Sequence, residues 1–523
     1  MNFFEVMLCL GLAAGCALAS RSLFHDYQLE SYQLPGYFRT LRRKLPVLPG
    51  LLMAVGGAAG LGLYLLLPWQ WLGALLGLAC ELGAGWGIRC LAVKRKAKKK
   101  FVITARVKRL YAVAFVVNTL VLLLCVGLCG SLVPAMVYSL LLPLWVALAG
   151  LCALPIEKAI QEAYFRDAQK KLAARPDLIK IGITGSYGKT TVKFLLGTML
   201  SEKYQVLVTP SSFNTPMGVT KIIRTRLQPA HQVFVAEMGA RHVGDIKELC
   251  RLVHPTLGVL TSVGPQHLDT FKTIDRIKNT KYELMEALPE DGCCFFPEDQ
   301  AICRELYDRT GKRKWLVSLH GEKDADVWAE ELTVSAAGSH FTLCTREGSI
   351  PCETRLLGEH NVQNVLLAAA VCLELGLTLK QIARGIARLE PVEHRLQLLS
   401  HPGGMTIIDD AFNSNPRGTE AALKVLSQFP ARRIIITPGM VELGAEEAAF
   451  NRAFGEKIAE SADIAILVGP KHTQPIRAGL EAKGFANIHT VASLEEAAAL
   501  LRNLGHAGDT VLFENDLPDN YQE

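Results

Sequence analysis

Five apolar stretches before residue 156, at roughly 2–20, 47–67, 69–93, 110–130 and 132–154, constrain this chain more than any other feature. Each is close to the ~20 residues that a helix needs to cross a hydrocarbon core. Pro68-Trp69-Gln70-Trp71 separates the second from the third and sets two Trp where an interfacial belt would lie. Gly130-Ser131 separates the fourth from the fifth. These short turns suit helical hairpins. Charge follows the same division. Residues 1–156 carry 15 Lys+Arg and 4 Asp+Glu, a net of +11, whereas residues 157–523 carry 41 and 46, a net of −5. Basic residues interleaved with long apolar runs point to a membrane and away from nucleic acid. With half of the residues apolar and 20% charged, global disorder is excluded.

The basic residues also give an orientation. Arg21, Arg39, Arg42, Arg43 and Lys44 lie in the first loop, and Lys94–Lys100 with Arg106, Lys108 and Arg109 lie in the third. Both loops are expected in the cytoplasm. Five spans then leave the N-terminus outside and everything after residue 155 inside, as a multi-pass protein of the cytoplasmic membrane. The Lys94–Lys100 run is expected to meet anionic lipid headgroups. Met1-Asn2-Phe3-Phe4-Glu5 has no basic n-region, so no cleaved signal peptide is expected. Seven of the fourteen cysteines fall in the apolar third, and no CxxC pair occurs. Neither a disulfide framework nor a zinc site is expected.

After residue 156 the pattern turns to alternating strands and helices. Glu157–Ala174 reads as a charged amphipathic connector. Leu178–Thr184 is β-rich and runs into Gly185-Ser186-Tyr187-Gly188-Lys189-Thr190-Thr191, followed by a helical stretch from Val192 to Leu200. Strand, glycine-rich turn and helix form the geometry in which backbone N–H groups cradle phosphate. Lys189 would reach the outer phosphates and Thr190 would ligate Mg2+. Ile183 occupies the first Gly position of the full GxxxxGK[ST] motif. The strand-like runs Gln232–Glu237 and Leu257–Val263 end near Glu237 and His267, where chemistry gathers in an open α/β sheet. Short β pieces are expected over 324–357. Further strands are expected at Thr406–Asp409, Arg433–Thr437, Ile464–Val468 and Val511–Phe513.

Nine blocks in one order resemble the Mur ligases, ATP-dependent amide-forming enzymes of peptidoglycan synthesis. They are GITGSYGKTT at 182–191, SSFNTPMGV at 211–219, AEMGARHVGDI at 236–246, VGPQHLDTF at 263–271, IKNTKYEL at 277–284, LLGEHNVQNVLLAA at 356–369, EHRLQ at 393–397, DDAFNSNP at 409–416 and TPGMVELG at 437–444. The likeness is strongest to the branch that adds D-alanyl-D-alanine to a UDP-muramoyl tripeptide. It implies an α/β fold with a P-loop central domain at 177–390 and a Rossmann-like C-terminal domain at 391–523. These would follow an all-α transmembrane region at 1–155 and a connector at 156–176.

The resemblance also implies roles. Gly185, Ser186, Gly188, Lys189, Thr190 and Thr191 would hold the triphosphate of ATP. Thr190, Glu237, His267 and Lys281 would hold two Mg2+ ions, with Lys281 as a carbamate formed from CO2. Only a neutral amine adds CO2, so the Lys281 pKa must fall through desolvation. Asn361 and Asn364 would contact the nucleotide, Arg395 its terminal phosphate and Asp410 its ribose. Asn214, Thr215, Asn413 and Asn415 would line the substrate cleft. Lys189, Lys281 and Arg395 would carry catalysis through an acyl phosphate that an amine attacks.

Two departures from the family stand out. Apolar spans occupy the place of the usual UDP-gripping domain, so a UDP-linked or a lipid-linked muropeptide stays open as acceptor. A KGSR-like segment is replaced by Phe513-Glu514-Asn515-Asp516, so an amino acid or a dipeptide stays open as amine donor. Two other functions also stay open: an amidating or polyglutamate-forming relative, and a transporter driven by a fused nucleotide-binding domain. The zinc-ribbon cysteines expected of the amidating type are absent, and the transporter reading lacks an LSGGQ-type signature.

Overall fold

The computed structural model describes residues 2–30, 32–44, 48–93, 100–131, 133–211, 213–321, 324–400, 403–412 and 414–516. The basic run at 94–99 and Asn413 lie outside the described residues. The chain divides into a helical unit ending at Glu162 and an α/β unit beginning at Ala163.

In the first unit, Leu48–Leu66, Gln70–Val93, Ala105–Cys129 and Leu142–Ala173 are long and apolar enough to cross a membrane, with mean hydropathies of 1.6, 1.3, 2.6 and 1.5. The expected fifth crossing, near residues 2–20, requires Phe3–Ala19 to be taken together with Arg21–Leu29, a pair bent by 45°. The stretch 132–154 is not one helix. Val133–Leu140 ends, and a new helix begins at Leu142 with Pro143 in its first turn. Proline has no N–H to continue the earlier ladder but is pre-set for a first turn. That second helix runs on to Ala173, so the connector expected at 156–176 is the latter part of one 32-residue helix. Glycines bring the apolar helices together. A Cβ on Gly77 would lie 2.9 Å from the carbonyl oxygen of Gly60, and one on Gly85 would collide with that of Gly15. Such contacts suit helices whose association gains nothing from dehydration. Where Ala105–Cys129 begins, Arg109 grips the buried Glu157 with two bonds of 2.6 and 2.9 Å.

The second unit holds two sheets. Strands β1 (Ile179–Thr184), β2 (Val206–Val208), β3 (Val233–Glu237), β4 (Leu257–Leu260), β5 (Cys293–Pro297) and β6 (Arg313–Ser318) pair in parallel in the order β2-β3-β1-β4-β5-β6. Every residue of β3, β4 and β5 is buried, the signature of a parallel sheet covered on both faces. The pieces expected over 324–357 are β7 (Val327–Ser335), β8 (Gly338–Thr345) and β9 (Gly348–Thr354), a meander that extends the same sheet. The second sheet contains β10 (Gln397–Ser400), β11 (Thr406–Asp410), β12 (Arg433–Thr437), β13 (Ile464–Val468), β14 (Ile488–Val491) and β15 (Thr510–Glu514), in the order β10-β11-β15-β12-β13-β14. Only β10 runs antiparallel there. β1 lies between β3 and β4, so the first sheet switches direction at its carboxyl end. Ligands of open α/β sheets bind at such a crevice.

Candidate active site

The turn after β1 is built for close backbone approach. Gly185 has φ 153°, and a Cβ there would strike the Thr261 hydroxyl. Gly188 has φ 79°, and a Cβ there would lie 2.8 Å from Asn364 Oδ1. Ile183, at the first Gly position of the longer motif, is still inside β1 and wholly buried. The helix Lys189–Leu200 begins at Gly188 without a side-chain cap. Its first amides are therefore open to an anion. Lys189 Nζ curls back onto the carbonyls of Gly185 and Ser186, at 2.6 and 2.9 Å. Burial pushes its pKa down to about 8; Glu237 opposes the fall and Arg395 adds to it. Ser186 is taken up structurally. Its hydroxyl donates to Gly264 O and accepts from Gly264 N, both at 3.0 Å, and its amide donates to Ser262 O at 2.8 Å. Thr191, in the first turn of the same helix, is buried.

Glu237, the last residue of β3, is 1% exposed. Its Oε2 accepts from Thr190 Oγ1 at 3.0 Å and from Lys193 Nζ at 2.8 Å, and its Oε1 accepts from Asn214 Nδ2 at 2.9 Å. Burial raises this carboxyl, but Lys193 and Lys189 more than reverse the effect and leave it below the usual range. Lys281, on the helix Ile274–Ala287, is 2% exposed and makes no hydrogen bond or ion pair among the described residues. Burial, reinforced by the charge of Lys189, sets its pKa well below that of an ordinary lysine; Asp245 and Glu283 oppose.

The second sheet supplies the opposite wall. Arg395 lies over the Phe412 ring at 4.4 Å and has no ion-pair partner among the described residues. Burial and the fields of Asp410, Glu237 and Glu514 all act on it. His267, in a left-handed turn at φ 55°, holds Glu442 Oε2 at 2.6 Å from its Nδ1. Burial raises the Glu442 carboxyl, and the bond from His267 brings it below its usual range. Asn364 borders the phosphate loop, whereas Asn361 Nδ2 is bonded to Leu357 O at 2.8 Å. Two expected cleft residues act as helix caps. Thr215 Oγ1 accepts from Gly218 N at 3.3 Å, and Asn415 Oδ1 accepts from Gly418 N at 2.8 Å.

The chain matches the family description "Mur ligase middle domain" over residues 183–372 and "Mur ligase, glutamate ligase domain" over 394–514. It is 32% identical over 358 residues to a UDP-N-acetylmuramoyl-tripeptide–D-alanyl-D-alanine ligase of Mycobacterium bovis, covering 64% of this chain and 69% of that relative. The chain belongs to the Mur ligase family. The Escherichia coli enzyme of the same name is 32% identical over 277 residues, 53% of this Mur ligase and 61% of the relative. The crystal structure of MurF from Acinetobacter baumannii superposes with a TM-score of 0.63 at 27% identity, covering 69% of this chain and 78% of that one. MurF from Thermotoga maritima, solved in complex with ADP, shares the fold with a TM-score of 0.62 at 24% identity, covering 68% and 80%.

Mur ligases are ATP-dependent, ADP-forming enzymes that use Mg2+. The residues present fit both groups. The uncapped helix start, Lys189 and the unpaired Arg395 suit a triphosphate. Thr190 and Glu237 offer oxygen donors, as Mg2+ prefers. Among the described residues no three His, Cys, Asp or Glu side chains form a metal-holding group. Nothing in the sequence alone marks Lys193 or Glu442 as members of this site. Lys193 follows Lys189 by one helical turn, which is the available local signal; Glu442 meets His267 only across two domains.

Proposed function

We propose that this Mur ligase is a membrane-anchored enzyme that joins an amine, D-alanyl-D-alanine or a close relative of it, to the peptide carboxylate of a muropeptide presented at the membrane on a lipid carrier. The arrangement around Glu237 carries the reading: an uncapped phosphate loop, a metal-competent carboxylate and an unpaired arginine converge from two domains. The apolar helices before residue 162 support anchoring, with the N-terminus outside and both α/β domains in the cytoplasm. They occupy the sequence position that precedes the family-matched segments. The relatives' names supply the acceptor and donor classes.

When bound, ATP would supply the γ-phosphoryl group that makes the acceptor carboxylate reactive toward an amine, and Mg2+ would offset the charge on the phosphates. The chain's residues supply binding and orientation. Lys189 turns from its own loop carbonyls to the outer phosphates, and Arg395 brings its planar fork to the terminal one. Thr190 and Glu237, whose side-chain oxygens lie together, would hold one Mg2+. His267 offers Nε2 to the second, with Glu442 fixing the ring through Nδ1, the orientation that metal-binding histidines require. Lys281, buried and without a hydrogen bond or ion pair among the described residues, gives up its proton more readily than an ordinary lysine; as the free amine it would add CO2, with loss of a proton, to give a carbamate that could serve the same metal. Asn364 faces the nucleotide and Asp410 its ribose, while Asn214, with its amide on Glu237, links the cleft to the metal side. Thr215 and Asn415 shape the cleft as caps, and the role toward the substrate assigned to Asn413 rests on its place in the sequence motif alone.

Mass spectrometry of products from ATP, D-alanyl-D-alanine and either UDP-linked or undecaprenyl-linked muropeptide tests the proposal. A dipeptide-extended lipid-linked product is expected. Exclusive use of the soluble acceptor would defeat the membrane-presented reading, and no extension of either acceptor would defeat the ligase reading.

A further inference from the structure

The segment that departs most from the family pattern is also the most unusual chemically. β11 and β15 are parallel neighbours, and their last residues, Asp410 and Glu514, stand directly opposite each other. Register partners on adjacent strands project to the same face, about 5 Å apart. Two carboxyl groups therefore lie side by side at the ligand-bearing edge of the second sheet. Glu514 is 1% exposed. Its Oε1 accepts from Ser414 Oγ at 2.7 Å, and its Oε2 is buried without a hydrogen-bond donor. Asp410 Oδ1 accepts from Leu396 N at 3.2 Å. Arg395 forms no ion pair with either.

A second negative charge is disfavoured where the buried Glu514 carboxyl stands beside the half-buried Asp410 carboxyl. Burial, then the charge of Asp410, sets the Glu514 pKa well above the carboxylate range. Burial also lifts Asp410, to about 6, with Arg395 opposing. The pair shares a proton, and burial together with the neighbouring charge of Asp410 favours the acid form at Glu514. As an acid, its Oε2 has a hydrogen to donate, and the Asp410 carboxyl opposite it in register is an acceptor for it. A directional chain results: Ser414 hydroxyl to Glu514, Glu514 acid to Asp410. The negative charge stays on Asp410, already satisfied from behind, and Arg395 is left free.

We propose that Glu514 is a positioning residue which, as a carboxylic acid between Ser414 and Asp410, holds the Asp410 carboxylate toward the cis-diol of the nucleotide ribose. This rests on the reading of Asp410 as the ribose residue. It also means that the acidic segment does not present a second charge to the amine donor, because Glu514 stays neutral and serves the nucleotide.

The test is steady-state kinetics on the full-length enzyme with ATP and 2′-deoxy-ATP. Glu514→Ala removes the donor and is expected to raise KM for ATP about tenfold, the size of a lost bond to a charged group, with kcat little changed. It should also erase the preference for ATP over 2′-deoxy-ATP. Glu514→Gln keeps both halves of the chain, since its Oε1 accepts from Ser414 and its Nε2 donates to Asp410. It is expected to recover most of the affinity and the preference. If Glu514→Gln loses as much as Glu514→Ala, or if Glu514→Ala leaves KM and the preference intact, the proposal is overturned. Asp410→Asn separates the two readings. Unchanged nucleotide preference there would remove the ribose role of Asp410. A loss there, with both Glu514 variants normal, would overturn only the role of Glu514. Melting curves in detergent identify any variant that fails to fold, and the Gln variant, matched in shape, then carries the decision.

Discussion

At the scale of single residues, the site depends on charges buried together. Lys193 and Glu237 are 0% and 1% exposed and bonded at 2.8 Å. Removing one partner of such a pair leaves an uncompensated charge, at a cost of ~3 kcal/mol or more. Lys193→Met is expected to lower stability by about that amount in denaturant titrations, and combining it with Glu237→Gln should recover part of the loss. Lys189 allows a sharper test. Its pKa is pushed down to about 8 in the free protein by burial. Bound phosphates favour its charged form and raise the value again. Nucleotide binding at about pH 9 should therefore take up a proton at this residue, and at about pH 6.5 should not. Calorimetry in buffers of different ionisation enthalpy reads the difference. Lys189→Ala should abolish both the uptake and turnover.

At the scale of elements, caps and close contacts decide stability. Asn415 caps the helix Pro416–Leu426, so Asn415→Ala is expected to cost ~1 kcal/mol, while Asn415→Asp keeps the cap. Thermal melts distinguish the two variants. In the apolar unit, a side chain at Gly85 meets the Gly15 backbone, whereas one at Gly83 meets nothing within 4 Å. Gly85→Val should lower the melting temperature in detergent and Gly83→Val should leave it unchanged. The phosphate-loop turn, four of the six C-terminal strands and the pieces over 324–357 were readable from the chain because their signals are local. Hydrophobic alternation, a glycine turn and a following helix all lie within about 20 residues. The joining of the connector to the last apolar helix was not readable. The change of composition near residue 156 marks a change of surroundings while the helix itself continues.

At the scale of the whole molecule, the active site is assembled from two α/β domains. His267 and Glu442 come from different sheets and meet at 2.6 Å. Glu442→Ala should reduce kcat by about 10- to 100-fold, the usual consequence of losing the carboxylate behind a metal-binding histidine. The Mg2+ requirement should rise with it, and melting curves should move little. The apolar unit carries its own test. With five spans an impermeant thiol label reaches an N-terminal cysteine tag from outside intact cells; with four it does not.

The sequence by itself determined what depends on neighbours along the chain: the apolar character of the helices before residue 156, the phosphate turn with Lys189 and Thr190, and the strand that delivers Glu237 to the carboxyl end of the first sheet. Tertiary structure decided what depends on partners far apart in number. It set Lys193 against Glu237, Glu442 behind His267, Glu514 beside Asp410, and Thr215 and Asn415 at helix starts. The reason is physical. Backbone conformation responds to the nearest few residues, whereas the protonation and orientation of a buried side chain are set by whichever charges the fold brings within a few ångströms, and register between distant strands has no local signature.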